Sequence, residues 1–167
     1  MTKSREIAIR SCGTRHCGCG AWKNALVFGS WRNIRPTCDQ IIVWDKGEEA
    51  ALGHPTFFSA FEEIYVIGSG WTGPRRPNVL RMNGLSRGGM ERKKLGHPTP
   101  KPVALMETLI GHCPPGVIAD PFAGSGSTLL AASRAGRRVV GVEMDEKYCE
   151  VIARRFDQYA LDFGGAS

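Results

Sequence analysis

The chain of 167 residues has no apolar run long enough to cross a bilayer, which takes roughly 20 residues as a helix. Residues 1–12 carry cations but no apolar stretch of a secretion signal. Both absences predict a cytoplasmic protein, in a compartment where disulfides are rare. The six cysteines agree, being scattered rather than paired. Cys12, His16, Cys17 and Cys19 crowd together, yet they form no Cys-x-x-Cys pair and no second pair follows at zinc-site distance. That spacing predicts free thiols and no metal, with zinc as the alternative. No His/Asp cluster has ligand spacing either, which argues against a metal-dependent hydrolase. Acid is scarce in one place: Arg75, Arg76, Arg81, Arg87, Arg92, Lys93 and Lys94 share their stretch with Glu91 alone. The net charge of +6 is therefore unevenly placed and predicts an anionic partner.

Two nucleotide fingerprints are also missing. Residues 117–128 read Val-Ile-Ala-Asp-Pro-Phe-Ala-Gly-Ser-Gly-Ser-Thr: a short buried strand, an acid at its end, a Gly-x-Gly turn and a helix start. The dinucleotide motif needs a third glycine three residues after the second, where this chain has Leu129. The phosphate loop needs a lysine, and none follows Gly126. An adenosine ligand without phosphate, S-adenosylmethionine, fits what remains. Gly124 and Gly126 allow close backbone approach. Asp120 offers negative charge to an ammonium and a sulfonium, and Glu143, after the next strand, offers two acceptors to the ribose hydroxyls. An ordinary strand-turn-helix joint would also use these glycines. The acids on both flanks favour the cofactor.

The apolar pattern supplies a frame. Ala25–Gly29, Gln40–Trp44 and Glu63–Ile67 read as strands, the second and third able to pair as an antiparallel hairpin. Residues 71–96 read as a long basic loop rich in Gly and Pro. Beside a nucleotide-like site, such a loop predicts nucleic-acid contact. Pro102 opens a helix running to Cys113, with Leu105, Met106, Leu109 and Ile110 on one face. Val117–Ala119 is a strand, Thr128–Ala135 a helix, Val139–Met144 a strand and Glu146–Phe163 an amphipathic helix. The whole predicts one α/β domain over residues 1–167, a Rossmann-like sheet with helices on both faces and ligand at its strand ends. Residues 1–24 are an atypical N-terminal segment.

Three runs carry a resemblance. They are His97-Pro98-Thr99-Pro100-Lys101-Pro102, then Asp120-Pro121-Phe122-Ala123-Gly124-Ser125-Gly126-Ser127-Thr128, then Gly141-Val142-Glu143-Met144-Asp145. In this order they resemble the amino-DNA methyltransferases, in the group whose catalytic motif precedes the cofactor motif. The resemblance extends over about Ala25 to Phe156. It implies S-adenosylmethionine as cofactor and DNA as partner, with a methyl group passing to the exocyclic amino group of adenine or cytosine. Lys101 and Pro102 would wall the cofactor pocket, residues 120–128 would floor it, and Glu143, followed by Met144, would take the ribose. The basic loop falls where that family has its target-recognition region.

That group carries an Asp/Asn/Ser-Pro-Pro-aromatic motif, whose ring stacks on the extruded base, and here it should precede the strand at Leu26. The only Pro-Pro of the chain is Pro114-Pro115, followed by Gly116. The resemblance therefore implies a methyltransferase domain truncated at its N-terminus, with catalytic residues unknown and one inner strand of the sheet missing. Either N-terminal residues or a second chain would have to fill that place. The alternatives are an inactive cofactor- and DNA-binding remnant or accessory subunit and, less favoured, an RNA methyltransferase.

Overall fold

A computed structural model describes residues 6–11, 23–29, 34–47, 59–85 and 90–163. In chain order the elements are β1 (Glu6–Ser11), β2 (Asn24–Gly29), β3 (Gln40–Asp45), β4 (Phe61–Ile67), β5 (Val79–Arg81), α1 (Met90–Leu95), α2 (Val103–Ile110), β6 (Val117–Asp120), α3 (Ser127–Arg134), β7 (Val139–Gly141) and α4 (Glu146–Phe163). Among the described residues the strands form one sheet in the order β5-β3-β4-β2-β1-β6-β7. β4 runs against both β2 and β3, and every other pairing is parallel.

Strand alternation sorts side chains between the two faces. Leu26, Phe28, Trp44, Ile64, Val66 and Leu80 pack on one side with Leu105, Met106, Leu109 and Ile110 of α2 and with Ala131 and Ala132 of α3. Ala25, Val27 and Tyr65 form a second cluster with Cys38, Ile41 and Ile67. Every residue of β2 is buried, as a strand covered on both faces requires.

The structure corrects one expectation. The inner place between β2 and β6 is filled by this chain's own β1, which pairs in parallel with both, Ile7 facing Asn24 on one side and Ile118 on the other. The physical reason is backbone demand: β2 and β6 each present a row of amides and carbonyls there, and an extended segment of six residues satisfies both rows whatever its hydrophobic pattern. The basic segment is also more structured than a loop, since β5 and the α1 helix interrupt it. Smaller differences are that α2 stops at Ile110 and that β7 stops at Gly141. The antiparallel pairing of β3 with β4 is as expected. The cluster Cys12, His16, Cys17 and Cys19 lies outside the described residues.

Candidate cofactor site

From β6 the chain proceeds outward to β7 on one side, whereas β1 and β2 build the sheet on the other. The carboxyl end of β6 is therefore a switch point, where an open α/β sheet leaves a crevice. A cleft opens there. It is lined by Lys101, Asp120, Phe122, Ala123, Gly124, Ser125, Ser127 and Thr128 of the residues expected from sequence. Phe28, His97, Thr99, Pro100 and Met106 complete the lining; the resemblance implies the 97–102 run and the helix after it as one wall, whereas Phe28 was not expected. The signal for His97, Thr99 and Pro100 was their place in the run before Lys101. Phe28 could only be found by knowing that β2 ends beside β1. Pro102, Pro121, Gly126, Glu143 and Met144 do not line the cleft. Pro102 is the N-cap of α2 and Met144 is 95% exposed.

The glycines of the turn have reasons inside the protein. Gly124 has φ +53°, and a Cβ there would sit 2.9 Å from His97 Nε2. Gly126 has φ +79°, and its Cβ would sit 2.8 Å from Ile152 Cγ1 of α4. Both positions are left-handed and closely packed, so glycine is required before any ligand arrives. Two further contacts fix the turn. Ser127 Oγ donates to the Lys101 carbonyl at 2.7 Å, and Arg155 of α4 donates to the Ser125 carbonyl at 2.6 Å. Arg155 carried no sequence signal beyond its place on a helix.

Glu143 is engaged by the backbone of its own turn and of the glycine turn. Its Oε2 accepts the Gly124 amide at 2.7 Å, and its Oε1 accepts the amides of Met144 and Asp145, both at 2.9 Å. A carboxylate offers about four lone-pair sites, so the carboxylate is not free for a diol; about one site remains, on Oε2. Burial pushes the Glu143 pKa up, but the amides of Asp145, Gly124 and Met144, with His97 nearby, bring it below the ordinary carboxylate value. Asp120, 6% exposed, goes the other way. Burial raises its pKa against the hydrogen bonds of the Thr128 hydroxyl and the Phe122 amide, and the charge of Glu143 adds to the rise. The His97 ring packs against Tyr148 in a tilted contact, with centroids 4.7 Å apart and planes at 57°, and its Nδ1 accepts the Thr99 amide at 3.2 Å. Burial lowers the His97 pKa, and because Nδ1 accepts the Thr99 amide, the neutral form of the ring carries its proton on Nε2.

Lys101 is the cation of the lining. Its Nζ lies 2.5 Å from Glu62 Oε2 and 5.0 Å from the Phe28 ring centre. Lys46 reaches the other oxygen of Glu62 at 3.4 Å, so one carboxylate is shared by two ammonium groups.

The expected DNA contacts separate. Arg92 donates to the Pro98 carbonyl, and α1 with Lys93 and Lys94 leads directly into the cleft at His97. Arg81 ends β5 at the same end of the sheet and lies 3.5 Å from Asp45. Arg75 and Arg76 precede β5, at the opposite end. Arg87 lies outside the described residues. No group of His, Cys, Asp and Glu among the described residues could hold a metal ion.

Comparison with known proteins adds a family. Residues 30–154 match the family model for DNA methylase (N6_N4_Mtase). The chain is 40% identical over 123 residues to the Type II methyltransferase M2.DpnII of Streptococcus pneumoniae, covering 71% of this chain and 42% of that one. It is 41% identical over 80 residues to the Type II methyltransferase M.ScaI of Streptomyces caespitosus, covering 47% and 26%. The chain thus spans less than half the length of the curated relatives it matches. Among solved structures, the M1.HpyAVI-SAM complex superposes with a TM-score of 0.69 at 21% identity, over 92% of this chain and 89% of that one. The cytosine-N4-specific PvuII DNA methyltransferase gives 0.68 at 17%, over 92% and 79%. At these identities the likeness establishes the fold.

Proposed function

Because the chain belongs to the DNA methylase family, we propose that its cleft binds S-adenosylmethionine and that the domain serves methylation of an exocyclic amino group of adenine or cytosine in DNA. One observation carries this reading: the cleft is lined by one buried acid, one cation and an imidazole, with Phe28, Met106 and Phe122 as apolar surface. That donor set suits a zwitterion with an extra positive centre. Asp120 stands where an ammonium would draw out its charge. Lys101, sharing Glu62 with Lys46, retains charge for a carboxylate. The free lone pair of Glu143 takes one ribose hydroxyl. When bound, the cofactor supplies an electrophilic methyl group on sulfur. The chain's own residues orient it and hold its charges, which is how positioning contributes to a direct transfer.

Arg81, Arg92, Lys93 and Lys94 give this end of the sheet a cationic rim for DNA phosphates. The sequence favours a second reading of the catalytic step. No Asp, Asn or Ser stands before a Pro-Pro-aromatic run anywhere in these 167 residues. This chain by itself therefore binds cofactor and DNA and leaves the stacking and amino-group contacts to a further segment or a second chain.

Calorimetry with S-adenosylmethionine tests the first reading. Binding should weaken about tenfold or more in Glu143→Ala and in Lys101→Met, with folding checked by circular dichroism. No heat from the folded parent would overturn it. Replacing Arg92, Lys93 and Lys94 together should weaken duplex binding across all sequences and flatten its salt dependence. A tritiated-methyl assay on mixed-sequence DNA should stay near background with this chain alone. Turnover like that of a complete enzyme would place the catalytic residues within it.

A further inference from the structure

A second cavity, of about 650 Å³, opens at the other end of the sheet. Gln40 at the start of β3, Gly68 just after β4 and Thr108 and His112 at the end of α2 bound it, and Trp71, Arg75 and Arg76 complete this part of the lining. β3 runs parallel to β2, β1 and β6, so its start and the end of β6 lie at opposite poles, separated by a strand length of roughly 20 Å. The two cavities are separate sites.

The loop carrying the two arginines is fixed on both sides. The Gly68 amide donates to Asp39 Oδ2 at 2.7 Å, and the Trp71 indole donates to the Gly68 carbonyl at 2.9 Å. The Thr72 amide donates to the His112 carbonyl at 2.9 Å, and His112 Nε2 lies 3.0 Å from the Pro74 carbonyl. Beyond the arginines, Asn78 Nδ2 donates to the Ile41 carbonyl at 3.1 Å, and the Asn78 carbonyl accepts the Val43 amide at 2.8 Å. Pro74 and Pro77 restrict what remains. The backbone anchors thus stop just short of Arg75 and Arg76, whose exposed guanidiniums have no hydrogen bond or ion pair among the described residues. One carboxylate, Asp39, also lines the cavity, and its Oδ2 accepts the Gly68 amide. Both arginines line the cavity without an ion pair among the described residues, so an anion entering it meets two uncompensated cations. Guanidinium forks match phosphate oxygens in particular.

The geometry points to a phosphate-ester site here: Arg75 and Arg76 grip the phosphate of a nucleotide unit, and Trp71, which lines the same cavity, borders its ring. This ligand could be a stretch of DNA strand passing the pole opposite the cleft, or a free nucleotide. A cavity of this volume lies in the usual range for small ligands.

The test uses the full chain and an Arg75→Ala, Arg76→Ala double variant, with two probes: a mixed-sequence duplex titrated at several salt concentrations, and dAMP followed by the Trp71 indole resonance. If the source is DNA, the variant loses about tenfold or more in duplex affinity at low salt. Its log–log salt slope then becomes shallower by about 1.8, two phosphates' worth. If the source is a free nucleotide, dAMP shifts the Trp71 resonance in the parent and not in the variant. Duplex binding equal to the parent's at every salt concentration, together with a Trp71 resonance unmoved by dAMP, would overturn the site. S-adenosylhomocysteine binding, read in parallel, should be unchanged in the variant. A parent that fails to bind it would sink the cofactor reading without touching this one.

Discussion

At one pole of the sheet the chain turns from β6 into α3, with its amides drawn toward carboxylates: Gly124 toward Glu143 and Phe122 toward Asp120. At the other pole the segment between β4 and β5 is held mainly by amide-to-carbonyl and indole-to-carbonyl bonds, and its charged side chains are left outside. Both are glycine-rich connections against a helix, yet one encloses negative charge and the other displays positive charge. A loop's glycines and anchors set where it sits, and which side chains are spent as anchors sets what it can attract. Acids used as anchors make a pocket for a cationic ligand. Backbone used as anchor frees arginines for an anion.

Substitution at Gly126 should break the comparison most sharply. An alanine there meets both a left-handed φ and Ile152 at 2.8 Å, which together cost about 2–4 kcal/mol. Gly126→Ala should lower the melting temperature by roughly 6–12 °C and abolish S-adenosylhomocysteine binding. Restoring part of the melting temperature by adding Ile152→Ala would assign the loss to that contact.

A smaller effect separates the two carboxylates by pH. Glu143 has a depressed pKa in the folded protein, so its stabilising bonds are fully present above the ordinary value of 4.5 and are lost as pH falls through its lower folded value. Urea melts should show parent stability falling in that window and Glu143→Gln falling less. Asp120 has the opposite sign. Its pKa is raised, so the folded state keeps a proton that the unfolded chain gives up, and stability falls as pH rises from 3.8 through the raised value. At a pH between 3.8 and the raised value, a cationic ligand facing Asp120 should expel that proton. Calorimetry in buffers of different ionisation enthalpy should record proton release on binding, and Asp120→Asn should abolish it.

The smallest effect belongs to Arg81. Its side chain is 86% exposed, and its partner Asp45 is 3.5 Å away. Arg81→Ala should change stability by no more than about 0.5 kcal/mol, a reference against which the anchored positions can be read.

The C-terminal half was legible because punctuation brackets each element: Pro102 before α2, Pro114-Pro115-Gly116 before β6, Gly136 after α3. β5 spans three residues and α1 six, too short for a periodicity to show. Glu6–Arg10 reads as a strand-like piece, but its place in the sheet was hidden for another reason: it is decided by the unpaired edges of β2 and β6, which a local pattern does not contain. In the site, the motif residues brought in Asp120, the Gly turn and Lys101. The sequence could not show that three amides would occupy Glu143, because those bonds depend on how the 143–145 turn closes over Gly124.

The position of β1 also sets the order of assembly. Ile7 pairs with Ile118, about 110 residues further along, and pairing at that range carries a high loop-closure cost and slows folding. On the ribosome β2 to β5 are available for pairing well before β6 emerges. The segment Glu6–Ser11 must therefore wait at the edge of β2 as an unprotected strand until the last third of the chain arrives to cover its other side. Aggregation during synthesis, rather than instability of the finished sheet, is the hazard this topology carries.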